Sequence, residues 1–326
     1  MNPGGLRGMG CLPHLPTWQV QLLLPALRRH RTEESDAVPL RSRSFSKQSP
    51  AHLSRATGSS RPQVPGQPHP GADRLGYTSG MPTLFVVIPV FNEAATAREA
   101  INRVRAIAFS PPWKQHIIVV DDGSDESTRR ALEAATADRT TAMTLLRHAI
   151  NRGKGAALLS GFDAACRMSR TPLDAAVIQD ADLEYDPHDF LAILTALDSL
   201  GEAAAVIGNR WHQGQVQRGP RGWMHMSVNR LLTRASNHMT GLGISDMECC
   251  YKAMRISVLR TIVPQLTEQR FGIEPQIVAA WARSQVPLRE VPVSYAPRSF
   301  AEGKKIRAAD GLRALWVIAQ GRRSTP

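Results

Sequence analysis

The chain has 326 residues, with 40 basic against 28 acidic side chains and a formal net charge of +12. No run of 18 apolar residues occurs, so no membrane-spanning helix is predicted. The four cysteines, Cys11, Cys166, Cys249 and Cys250, stand at no zinc-ligand spacing and read as buried thiols of a reducing compartment.

Residues 1–80 differ from the rest. They hold 10 Pro, 9 Gly and 9 Ser, and carry ten basic against four acidic residues, half of the net charge. That composition predicts a disordered tail rich in Pro, Gly, Ser and Arg. Its one apolar patch, Trp18 to Leu24, lies between Pro16 and Pro25 and is too short to span a bilayer. No basic region leads into a signal-peptide core, although the Arg-rich stretch Leu27 to Arg31 is open to a targeting reading. Met81 precedes the first strand and is an alternative start. The expectation is a tail over 1–80, not required for function, and one catalytic domain over 81–326.

From Met81 onward, strands and helices alternate. Leu84 to Ile88 is a continuous apolar run stopped by Pro89, and Ala97, Ile101, Val104 and Ala108 repeat at helical spacing. A second strand covers His116 to Val120, a helix Glu126 to Ala137, and a third strand Met143 to Arg147. A small-residue helix runs from Gly153 to Met168, and residues 174–179 form the fourth strand. Phe190, Leu194 and Leu197 mark another helix, and Ala203 to Ile207 a fifth strand. Apolar strands alternating with helices imply an α/β fold, with a mainly parallel sheet covered on both faces. Beyond Gly208 the pattern loosens. Residues 209–222 read as a mobile loop carrying Arg210, Arg218 and Arg221, followed by helices at 223–239 and 273–283, a strand at 286–294 and a last helix at 308–319.

Three strand ends carry polar residues suited to a nucleotide. The first gives Pro89-Val90-Phe91-Asn92-Glu93, the second Asp121-Asp122-Gly123-Ser124, and the fourth Asp180-Ala181-Asp182-Leu183-Glu184. In open α/β sheets ligands bind just beyond the carboxyl ends of strands. Asp180, Asp182 and Glu184, at alternate positions, are hard oxygen donors suited to Mg²⁺ or Mn²⁺ carrying a diphosphate. The plainer reading is a solvated turn, with Asp186 as the N-cap and Pro187 as the first residue of a helix. A carboxylate at the second strand end can accept a base N–H or bond a ribose hydroxyl. No Gly-x-Gly-x-x-Gly follows the first strand, which disfavours a nucleotide-dependent oxidoreductase. A non-catalytic nucleotide-sugar binder is the alternative from another class, and the intact acids at all three strand ends argue against it.

Four ordered motifs carry a resemblance. Ile88 to Glu93, Val120 to Ser124, Asn151-Arg152-Gly153-Lys154-Gly155 and Asp180 to Glu184 resemble the motifs of the family 2 inverting glycosyltransferases of the GT-A fold. Within that family the chain is most similar to the branch of dolichyl-phosphate mannose synthase and bacterial polyprenyl-phosphate sugar transferases. The resemblance covers about residues 82–320, with support from Gly208-Asn209-Arg210, Asp246 to Lys252 and Arg298 to Lys305.

The resemblance implies transfer of a sugar from a nucleoside diphosphate sugar to a polyprenyl phosphate at the cytoplasmic face of a membrane. The protein would be peripheral there or bound to a membrane-protein partner, and nucleic acid is not an expected partner. Pro89, Phe91, Glu93 and Asp121 or Asp122 would hold base and ribose, with Lys154 and Ala181 beside the nucleotide. Asp180 and Asp182 would hold the cation, Asp182 directly, while Glu184 stands where relatives often carry Gln. Arg210 would meet the acceptor phosphate through a bidentate fork. Ser227 matches an acceptor-side serine, but Trp223 stands where relatives carry an arginine four residues earlier, so Arg218 or Arg221 would have to substitute. Asp246 is either a general base for a hydroxyl acceptor or an orienter of Arg210; a phosphate acceptor needs no base. Arg298, Lys304 and Lys305 would reach back over the diphosphate and stabilise its departing charge. Glu274 reads as an acid at a helix start.

Overall fold

The computed structural model describes residues 80–109, 113–137, 141–212 and 220–298, together with 313, 316 and 317. All fall in one compact unit. The expectations for the tail over 1–80, and those on Arg218, Lys304 and Lys305, lie outside the described residues.

The core is a seven-stranded sheet in the order β3-β2-β1-β4-β6-β5-β7. β1 (Thr83–Val90) pairs in parallel with β2 (Lys114–Asp121) and with β4 (Ala175–Ile178), and β2 pairs in parallel with β3 (Met143–Arg147). Leu84 to Ile88, Ile117 to Val120 and Ala175 to Ile178 are all buried. A strand covered on both faces must be apolar at every position, which is why these runs do not alternate.

α1 (Ala97–Arg105) pairs with α2 (Glu126–Ala137), and α3 (Lys154–Met168) lies along β1 and β2. The small residues of α3 permit close approach. A Cβ on Gly161 would meet the Val87 side chain at 2.4 Å. α4 (Phe190–Leu200) packs on β5 (Ala205–Asn209) and on β7 (Leu288–Pro292), which pair in parallel. A 3₁₀ turn at Pro187–Asp189 leads into α4, capped by the Asp186 side chain, which accepts from the His188 N–H at 3.0 Å, as the sequence suggested. α5 (Pro220–Thr240) begins three residues earlier than the periodicity predicts, and α7 (Ile273–Arg283) lies where expected.

One strand departs from the expectation. β6 (Lys252–Arg255) sits between β4 and β5 and runs antiparallel to both, followed by α6 (Ile256–Ile262). Its four residues include Lys252 and Arg255, both fully buried, so its sequence does not read as a strand. Arg255 is accommodated by Asp198 at 2.9 Å and by the carbonyls of Leu173 and Gly201. Because β6 is reversed, its start lies at the edge where the parallel strands end, with Lys252 beside Ile207 of β5.

Candidate functional site

That edge collects segments from six strands. Val90 aligns with Asp121, and the Gln179 N–H donates to Val87 O at 3.0 Å, so the three nucleotide-type strand ends emerge side by side. Arg210 follows β5, residues 246–251 precede β6, and Tyr295 and Arg298 follow β7, bridged to the fourth strand end at Tyr185.

The Asp-Ala-Asp-Leu-Glu segment is bent by Leu183, which takes a left-handed φ of 64°. Asp182 then caps the turn, accepting from the Glu184 N–H at 3.2 Å. Burial, with Asp180 and Glu184 close by, pushes the Asp182 carboxyl up to about 7, against the opposing pull of Arg298. Two protein cations lie on these acids. Lys154 Nζ is 2.8 Å from Asp180 and 2.9 Å from Glu274, and these carboxylates outweigh burial and hold its ammonium charged. The Arg298 guanidinium reaches Asp182 at 3.2 Å and Glu93 at 3.3 Å, and its backbone N–H donates to Glu184 at 2.9 Å.

Glu184 is thereby committed elsewhere, since its other oxygen accepts from Tyr295 Oη at 2.8 Å. Among the described residues no group of three His, Cys, Asp or Glu is arranged to hold a metal ion, so the three-acid ligand set expected from the sequence is not assembled. The pair Asp180 and Asp182 still fits a divalent cation, because Mg²⁺ is commonly held by one or two carboxylates together with substrate phosphates. Burial, with Asp180 and Glu184 beside it, disfavours the charge on Asp182, and added positive charge would offset that.

The second strand end divides its labour. Asp122 is buried and accepts from the N–H groups of Arg152 and Gly153 at 2.9 and 2.7 Å and from Asn151 Nδ2 at 3.0 Å, while His148 Nδ1 lies 2.6 Å away. Its carboxylate is used up in shaping the loop that delivers Lys154, rather than being offered to a ribose. Gly123 is required here: it has φ +71°, and a Cβ would strike the Ile150 backbone at 2.4 Å. Asp121 accepts from the Ser124 N–H at 2.9 Å and lies 3.7 Å from Arg147. Pro89, Phe91 and Glu93 stand half-buried at the edge, and Ala181 is buried between the two aspartates.

On the other side, Arg210 and Asp246 form a closed pair. Arg210 Nε and Nη2 donate to the two Asp246 oxygens, each at 2.7 Å, and the Arg210 N–H adds a third bond at 3.1 Å. Both side chains are buried, and the Arg210 guanidinium lies 4.9 Å from the centre of the Trp211 ring and 5.1 Å from that of Tyr295. Asp246, Tyr185 and further neighbours overcome the burial of Arg210 and keep its proton firmly bound. Of the alternatives for Asp246, the geometry favours the orienter. Ser227 is exposed on α5, and the side chain of Arg221 is outside the described residues.

Three residues escaped the sequence reading. Glu274 is more than a helix-start acid, because it lies between Lys154 and Lys252, the latter at 2.5 Å. Lys252 also donates to Cys249 O. Glu248 carries one enclosed oxygen with no hydrogen-bond partner, and burial pushes its carboxyl up to about 7. The available signal was charge inside apolar sequence, a lysine and a glutamate flanking Cys249-Cys250-Tyr251.

Comparison with known proteins identifies the family. The family described as "Glycosyl transferase family 2" matches residues 85–263. A polyprenol monophosphomannose synthase from Mycolicibacterium smegmatis is 31% identical over 265 residues, 78% of this chain and 95% of the relative. Among solved structures, a glucosyl-3-phosphoglycerate synthase from Mycobacterium tuberculosis, in complex with Mn²⁺, UDP and phosphoglyceric acid, aligns with a TM-score of 0.53 at 18% identity, over 75% of this chain and 80% of that one. The same enzyme with phosphoglyceric acid gives 0.52 at 17%, over 78% and 87%. The structural likeness establishes the GT-A type of fold. The extent of the sequence match establishes more: this chain belongs to glycosyl transferase family 2 and is a glycosyltransferase.

Proposed function

We propose that the protein transfers a sugar, with inversion, from a nucleoside diphosphate sugar to a polyprenyl phosphate. The observation that carries this is the Arg210–Asp246 pair. Both oxygens of Asp246 are taken by Arg210, so this aspartate is not free to remove a proton from a hydroxyl. Arg210 Nη1 is the guanidinium nitrogen left without a hydrogen bond to a described residue, and an oriented guanidinium suits a phosphate. A phosphate nucleophile is already an anion and needs no base. The relative named a polyprenol monophosphomannose synthase supports the same acceptor class.

In the proposed reaction an acceptor phosphate oxygen forms the new bond to the anomeric carbon as its bond to the diphosphate breaks. Glu93 and Asp121 face the nucleoside, while Lys154 and Arg298, now resting on Asp180 and Asp182, turn to the diphosphate. A divalent cation, with Asp180 and Asp182 as its protein ligands, would neutralise charge building on the leaving diphosphate. The working domain is residues 81–326, and a chain begun at Met81 is expected to bind donor as the full chain does. Without a helix long and apolar enough to cross a membrane among the described residues, the protein would meet its lipid at a membrane surface or through a membrane-protein partner.

A second reading, with a hydroxyl acceptor, draws on Glu248, whose carboxyl is raised by burial to about 7, a value suited to a general base. The test is incubation with GDP-mannose or UDP-glucose, Mn²⁺ or Mg²⁺, and undecaprenyl or dolichyl phosphate. Labelled sugar extracted into organic solvent is expected; label found only on a glycan or sugar alcohol would overturn the acceptor class.

A further inference from the structure

Glu248 stands between the two halves of the site. Its carboxyl senses Lys252 and Glu274 on the donor side and Arg210 and Asp246 on the acceptor side. Neither nearby cation hydrogen-bonds to it. Lys252 Nζ is divided between Glu274 and Cys249 O, and Arg210 is divided over the two oxygens of Asp246. The result is a half-buried residue whose carboxyl has one oxygen enclosed and partnerless.

An enclosed carboxylate oxygen without a partner destabilises a fold. A purely architectural residue at this place would be better apolar, or paired. Such unsatisfied groups are retained where a ligand completes them. The group that must lie between a diphosphate at Asp180 and Asp182 and an acceptor phosphate at Arg210 is the transferred sugar itself. A hexose presents neighbouring hydroxyls, and a carboxylate can accept from two of them.

We infer that Glu248 binds hydroxyls of the donor's sugar ring and so sets which hexose is transferred. The inference rests on the sugar-transfer reading, but its test uses donor alone and does not depend on the acceptor. Affinities of the full-length wild type and Glu248→Gln would be measured for GDP-mannose and UDP-glucose, and for GDP and UDP, in the presence of Mn²⁺. Glu248→Gln is expected to weaken the preferred nucleotide sugar about ten- to hundredfold, the range for a hydrogen bond to a charged group, and to leave the bare nucleotide unchanged. Its melting temperature should be equal or higher, since an unsatisfied carboxyl has been removed. Deoxy analogues of the preferred sugar should lose affinity for wild type at one or two positions, and lose less for Glu248→Gln.

Unchanged sugar-nucleotide affinity together with lost turnover would overturn the inference and make Glu248 a base for the acceptor. A lower melting temperature with weaker binding of bare nucleotide would overturn it in favour of a structural role. If Glu248→Gln behaves as expected while no lipid product forms, the acceptor class is wrong and the sugar contact stands.

Discussion

Arg298 and Arg210 reach the same sheet edge but are held in opposite ways. Arg298 spreads over Asp182, Glu93 and Glu184 at 3.2, 3.3 and 3.9 Å, with its side chain and all three acids partly open to solvent. Arg210 is closed onto one aspartate at 2.7 Å, with side chains 5% and 0% exposed. At Arg298 the donor half thus holds provisional ion pairs, long and shared, that a diphosphate and a cation can exchange into. The acceptor half holds a finished one, whose cost of ordering has been met in folding. A site that must bind and release a charged leaving group gains from the first kind of pairing. One that must orient a nucleophile gains from the second.

The largest expected effect comes from breaking the donor half at its centre. Asp182→Asn should lower kcat on the order of 10²–10³-fold, as loss of a charge-stabilising contact does, with the fold intact by circular dichroism. Unchanged metal-dependent turnover would displace the cation from this segment.

On the acceptor side the damage should appear in stability as well as in kinetics. Asp246→Ala strands a buried guanidinium and is expected to cost about 3–5 kcal/mol in chemical denaturation. Arg210→Ala should raise the apparent KM for polyprenyl phosphate about 10–100-fold through loss of a charge-assisted contact, with donor KM little changed. If Asp246→Asn abolished turnover while Arg210→Ala were indifferent, Asp246 would be acting on a proton after all.

Arg298→Gln should be milder, about tenfold in kcat, because Lys154 remains on the neighbouring Asp180. Stability should fall by less than for Asp246→Ala, since these pairs are longer and spread over three acids. A large loss of melting temperature would show that the exchangeable pairing is architectural.

The smallest effect is on pH. The Asp182 carboxyl is raised to about 7 in the folded protein from an ordinary value of 3.8. The folded state therefore holds this proton where the unfolded chain has lost it. The associated stability is complete below about pH 4 and is lost as pH rises through about 7. Without cation, Asp182→Asn should thus be the more stable protein at pH 8, by about 1–2 kcal/mol after discounting for solvent, and the advantage should fade toward pH 4. Added Mn²⁺ should reverse the order at pH 8, because only the ionised wild-type carboxylate attracts the ion.

Much of the donor half was legible in the sequence. Leu84 to Ile88 and Ile117 to Val120 announce buried parallel strands by being uniformly apolar, and the polar residues that stop them lie at the ligand edge by the geometry of such sheets. What could not be read was partner choice. Asp121 and Asp122 are adjacent and chemically alike, yet Asp122 is consumed by the loop at Asn151 to Gly153. Glu184 keeps the alternate spacing of the acids, but the turn at Leu183 and the arrival of Tyr295, 111 positions away in the chain, direct it elsewhere. β6 was hidden because a strand that buries Lys252 and Arg255 violates the apolar pattern by which strands are recognised. Its charges are matched by Glu274 and Asp198, which only the fold brings near.

The reversal of β6 makes chain length as important as chemistry in one short connection. Between Asp246, locked to Arg210, and Lys252, locked to Glu274, the backbone is pinned at both ends, with Cys250 N–H tied midway to Tyr185 Oη. Strand side chains alternate faces, so one residue removed here would turn Lys252 away from Glu274 and bring Ala253 in its place, and one residue added would bring Tyr251 there. The two halves of the site are therefore spaced like jaws on a fixed gauge. Substitutions within the gauge change what is gripped, whereas a single insertion would release the Lys252–Glu274 jaw while the Arg210–Asp246 jaw stayed closed.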